Sequence, residues 1–142
     1  MGQQHRIGAA LLASSLLGGA TIAQTAAPIV ARDVIGDWSL RMTPIEGQGR
    51  NVTFKSRDGG PLVQPLTITA QSGGRLGCVV DEVPAQCRIR NGALNVVSAS
   101  DGMRMIFTLT DRTRQGFAGK VDLRVRFLPL GGPIGTVDMV RR

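Results

Sequence analysis

Histidine is almost missing from this chain of 142 residues, and tyrosine is missing altogether: His5 is the only imidazole. Aromatics are scarce as well, at four Phe and one Trp, and cysteine is limited to Cys78 and Cys87. His5 falls in a stretch that reads as a removable leader. The mature protein then has no imidazole for a Ser–His or Cys–His nucleophile and none to bind zinc. Carboxylates are the acid–base groups that remain. Asp81-Glu82 and Glu46 lie in turn sequences, and neighbouring side chains on a strand point apart, a poor start for a paired-carboxylate site. Composition therefore predicts a non-catalytic protein with no metal and no cofactor.

The stretch IGAALLASSLLGGATIA, residues 7–23, runs 17 residues without a charge, short of the roughly 20 that a spanning helix needs. It follows MGQQHR, with Arg6 positive, and ends on the small residues Thr21 and Ala23. That order predicts a signal peptide over 1–23, cleaved after Ala23 or a few residues later, and a periplasmic or secreted location; the alternative is an uncleaved N-terminal anchor. Residues 24–35 read as an N-terminal linker and 36–142 as one domain, long enough to build a single core.

After residue 36 no segment of a dozen residues carries a helical period. The recurring period is two, in short runs separated by Gly, Pro, Asn and Asp. Trp38, Leu40 and Met42 share a face, as do Val52 and Phe54, then Leu66, Ile68 and Ala70. Leu76, Cys78 and Val80 follow, then Cys87 and Ile89, then Leu94 and Val96. Met103, Met105, Phe107 and Leu109 form the clearest set; Val121, Leu123, Val125 and Phe127 repeat it, and Val137 and Met139 end the series. Asn91-Gly92 is a strong hairpin dipeptide because both residues tolerate the positive φ of a type I′ turn. Ser72-Gly73-Gly74 and Ser100-Asp101-Gly102 mark two more turns. The prediction is all-β: a single antiparallel meander of about eight or nine strands. A meander with one apolar face must hide that face and protect its edges, which a closed or nearly closed barrel does at once. Inward Met, Phe and Leu favour a filled interior over a roomy cup.

The cysteines are spaced C-x8-C, unlike the C-x2-C of redox helices and zinc knuckles. Asp81, Glu82, Val83 and Pro84 between them form a turn, and folding about it sets Cys78 opposite Cys87 on neighbouring strands. Opposed strand positions suit a disulfide, and export supplies an oxidising compartment. The excess of 17 Lys+Arg over 10 Asp+Glu gives a net charge of +7, with Lys55 and Lys120 the only lysines. Arg88 and Arg90, and likewise Arg124 and Arg126, share an outward face about 6.6 Å apart. These pairs are a candidate anion-binding surface for anionic lipid headgroups, lipopolysaccharide or an acidic partner, against the plain reading of a solvated exterior. A nucleic-acid partner is not expected, since base stacking needs aromatics beside the arginines.

Gly36, Asp37 and Trp38, in IGDWSL at 35–40, carry a family resemblance. A Gly-x-Trp opening the first strand of a small antiparallel barrel resembles the lipocalins and the wider calycin group. The resemblance implies that Gly36 and Trp38 pack the barrel base, under a basic residue from a late strand: Arg124, Arg126 or Arg141. The chain also resembles the exported metalloprotease inhibitors of Gram-negative bacteria, small eight-stranded barrels whose segment ahead of the Trp enters the protease cleft. Residues 24–35 correspond to that segment by position. The sequence departs from both groups: it has no recognisable second lipocalin motif, and its cysteine spacing does not match the inhibitors.

The expectation is thus an exported, monomeric, non-catalytic binding protein. Its partner is a small apolar ligand inside the barrel. The alternatives are an exported protease inhibited through residues 24–35, or the anionic envelope met by a basic outer face.

Overall fold

The computed structural model describes residues 27–45, 61–127 and 131–142. Eight strands follow one another in an antiparallel meander: β1 (Gly36–Pro44), β2 (Leu62–Ala70), β3 (Leu76–Val80), β4 (Val83–Arg90), β5 (Ala93–Ser100), β6 (Met103–Arg112), β7 (Gly116–Val125) and β8 (Gly131–Arg141). Each strand pairs with the next, and β1 also pairs with β8 from Trp38↔Arg141 to Pro44↔Gly135, so the sheet closes into a barrel. The predicted signal peptide and the run with Val52 and Phe54 lie outside the described residues.

Alternation decides what faces in. Trp38, Leu40, Met42, Leu66, Ile68, Cys78, Val80, Leu94, Val96, Phe107, Leu109, Val121, Val137 and Met139 fill the interior and are all buried. At about 25 cal/mol per Å² of apolar surface, this core is the main favourable term in folding. Three two-residue turns join strands with both residues at positive φ: Asp81-Glu82, Asn91-Gly92 and Asp101-Gly102. Such turns match the twist of the strands they connect.

Four expectations change in detail. Phe127, read as inward, is 90% exposed: β7 ends at Val125, and the next residue bonds across to the neighbouring turn, Arg126 N–H donating to the Gly102 carbonyl at 2.7 Å. Ala70, at the end of β2, and Met103, at the start of β6, are exposed because each lies at the rim of the barrel. Cys78 faces Ala85 rather than Cys87, because the turn is two residues long and Val83 and Pro84 belong to β4. The disulfide Cys78–Cys87 therefore runs along a diagonal, with Cα atoms 6.0 Å apart.

The disulfide closes a short loop across the shortest ladder of the barrel, three pairs between β3 and β4. Replacing Cys78 and Cys87 with Ser, or reducing them, is expected to cost about 2.5–3 kcal/mol through the freed unfolded chain. Chemical denaturation with and without reductant measures it.

Candidate functional site

The chain enters across one end of the barrel, here called the base. Residues 27–35, expected as linker, hold a one-turn helix α1 (Ala31–Val34) and bury Ile29 and Val34 in the core. The Ile29 amide donates to the Gly92 carbonyl at 2.9 Å. Arg112, at the end of β6, donates to the Ala27 carbonyl at 3.1 Å, to the Pro28 carbonyl at 3.0 Å and to the Asp33 carboxylate. That guanidinium holds the Asp33 carboxyl below its ordinary range, with the Val30 amide adding to the effect and desolvation opposing it. Residues 27–35 thus form a plug latched to the barrel by one arginine.

Trp38 stands behind the plug, 2% exposed, and its Nε1–H donates to the Val34 carbonyl at 2.8 Å. The Arg141 guanidinium lies over its ring, 4.1 Å from the centroid, and Phe117 packs beside it at 5.6 Å. Arg141 is therefore the late-strand cation over Trp38, while Arg124 and Arg126 sit at the far end of β7. Gly36 has φ +134°, and a Cβ there would lie 2.6 Å from Arg141 Nη1. Gly116 has φ +154°, and its Cβ would lie 2.1 Å from the Met139 carbonyl oxygen and 2.9 Å from the Trp38 ring.

The expected arginine pairs point outward but do not form one surface. Arg88 and Arg90 lie on β4, and β5 and β6 separate them from Arg124 on β7. A residue outside the expected set joins the second pair: Arg104 on β6 stands directly opposite Arg124. Like charges facing each other across a ladder are unfavourable, and none of Arg104, Arg124 and Arg126 makes a salt bridge among the described residues. The Arg126 guanidinium lies 5.0 Å from the centroid of the exposed Phe127 ring. Three arginines and an exposed aromatic therefore share the end of the barrel opposite the plug. Arg104 was legible as an outward residue of its strand; its pairing with Arg124 depends on register.

Among the described residues no group of three or more His, Cys, Asp or Glu could hold a metal ion. At the plug end Ile29, Val34, Trp38 and Phe117 are all buried. Toward the other end Leu62, Met105 and Ile134 pack on the core while only half-buried. Gln64 stands opposite the buried Leu40 in the β1–β2 ladder, and its buried Oε1 has no hydrogen-bond partner among the described residues.

Fold and cross-link define a small disulfide-bonded β-barrel, of a kind at home where disulfides persist. No protein-family model, curated protein or solved structure matches the chain.

Two predictions concern the base. Trp38→Phe keeps the ring but leaves the Val34 carbonyl without its donor, an expected loss of about 1–3 kcal/mol; thermal unfolding and faster exchange of the Ile29 amide report it. Because the Asp33 pKa is lowered in the folded state, its contribution is complete above the ordinary carboxylate value and is lost as pH falls through the lowered one. Acid titration should release the plug in that range, seen as amide exchange at Ile29, and Asp33→Asn should remove this component of the pH dependence.

Proposed function

We propose that this chain is an exported, non-catalytic binding barrel that docks on anionic envelope surfaces through Arg104, Arg124, Arg126 and Phe127. One observation carries the reading: a cross-strand Arg104–Arg124 pair that makes no salt bridge among the described residues, beside an aromatic ring that is 90% exposed. Guanidinium groups match phosphate oxygens, and a neighbouring exposed aromatic gains from the headgroup boundary. Export, inferred from the leader and the disulfide, places the domain where such surfaces occur. The lipocalin-like resemblance supports the barrel plan without specifying a ligand.

The carrier reading keeps a narrower basis, the buried, unpartnered Oε1 of Gln64 opposite Leu40. A ligand there would be small, would sit away from the plug and would offer one hydrogen-bond donor. The inhibitor reading needs the N-terminal segment to project from the barrel, whereas residues 27–35 turn back onto its base.

Co-sedimentation with phosphatidylglycerol vesicles tests the proposal. Binding is expected to fall steeply with salt and to be weak on phosphatidylcholine. Near an anionic surface each arginine contributes about 1 kcal/mol, so Arg124→Ala with Arg126→Ala should weaken binding by roughly 10- to 30-fold. Phe127→Ala should weaken it further while leaving thermal unfolding unchanged. Equal binding to both vesicle types, or none to either, would sink the idea.

A further inference from the structure

The base carries a second concentration of arginine. A groove of about 730 Å³ lies between α1, the turn joining β6 to β7, and the end of β8. Arg32, Arg112, Arg114 and Arg141 line it, against a single lining carboxylate, Asp33. The Arg112–Asp33 pair is already engaged, and Arg112 also donates to the Ala27 and Pro28 carbonyls. Three guanidinium groups therefore remain around one committed carboxylate. Arg32 reaches Asp33 only at 3.9 Å, with its side chain 90% exposed. Arg114 and Arg141 make no salt bridge among the described residues.

Arg141 is the fixed member of the three. Its guanidinium lies 4.1 Å from the Trp38 ring centroid, and its Nη1 takes up the space that a side chain on Gly36 would need. Stacking uses the face of a guanidinium and leaves its N–H edge for hydrogen bonds. A donor held in place before binding loses little freedom on binding. Arg32 and Arg114 are exposed, one on α1 and one on the β6–β7 turn, so two separate segments bring charge to the groove. Trp38 and Phe117, the aromatic residues of the lining, are both buried.

We infer that this groove is a binding site for a soluble anion bearing two or more clustered phosphate groups. Guanidinium forks match phosphate oxygens. A single carboxylate would answer one of the three arginines and leave the others unpaired, whereas a condensed phosphate meets several at once. With both rings buried, nothing in the lining selects for a stacked base or an acyl chain. The groove lies at the opposite end of the barrel from Arg104 and Arg124, so it stands or falls separately from the envelope reading.

The test titrates the intact protein with tripolyphosphate at about 0.15 M salt, where charges more than roughly 8 Å apart are screened. Calorimetry should show saturable one-to-one binding, and none of acetate at the same concentration. Trp38 emission should change with the same midpoint, because the anion engages the guanidinium that lies over its ring. Arg32→Ala with Arg114→Ala should weaken binding by about three- to tenfold, as expected for two exposed ion pairs. Arg41→Ala with Arg75→Ala removes the same charge from exposed positions outside the groove and should leave binding unchanged. The inference is overturned if tripolyphosphate does not bind, or if the two double variants weaken it equally, since contact is then with net charge alone. Binding that leaves Trp38 emission unchanged places the anion elsewhere and overturns it as well. A Trp38 response to phosphatidylglycerol vesicles and none to tripolyphosphate would reassign the groove to a membrane surface and overturn the soluble ligand.

Discussion

The seating of Trp38 at the base is the contact on which the rest of the barrel depends. Its ring touches the plug through Nε1, the sixth-to-seventh strand region through Phe117, and the end of β8 through Arg141. It fits only because two backbones leave room. Gly36 stands where a side chain would meet the Arg141 guanidinium, and Gly116 where one would meet the Met139 carbonyl and the ring itself. Both hold φ values that L side chains rarely adopt. One indole thereby ties the plug, the first strand and the last strand into a single unit.

That unit explains why the two ends of the barrel differ. At the base, polar groups are spent on internal contacts: Arg112 on two carbonyls and Asp33, Arg141 on Trp38. At the other end Arg104, Arg124 and Arg126 make no salt bridge among the described residues, and the Arg126 guanidinium lies over the exposed ring of Phe127. Arg112 and Arg141 thus act as structural residues, whereas Arg104 and Arg124 face each other on the outer side of a ladder. Composition alone gives no hint of that division, since all are the same residue on the same kind of strand.

Much of the fold was legible because period-two alternation is a direct consequence of the pleat. Met103, Met105, Phe107 and Leu109 can be placed on one face from spacing alone, and Asn91-Gly92 announces its turn through residues that tolerate positive φ. Asp81-Glu82 makes the same kind of turn without that chemistry, at φ 48° and 66°. Its sequence therefore predicts a longer turn and sets Cys78 opposite Cys87, two positions from the observed partner Ala85. Phe127 kept the alternation but lay beyond the end of its strand, which is set by a bond to Gly102 on another hairpin. The plug escaped notice because Ile29 and Val34 are too few to show a period, and because its latch joins Asp33 to Arg112, 79 positions away. Registers, strand ends and long-range pairs depend on several segments at once, and a pattern within one segment cannot reveal them.

Closure of the sheet also has a kinetic meaning. Seven of the eight ladders join strands adjacent in the chain, and such contacts form with little loop entropy. The eighth, β1 with β8, joins the two ends of the domain and must wait until nearly every hairpin is in place. The stacking of Arg141 on Trp38 belongs to that last ladder. Trp38 is the only tryptophan in the chain, so its emission follows the closing step together with the β1–β2 pairing in which it faces Leu66.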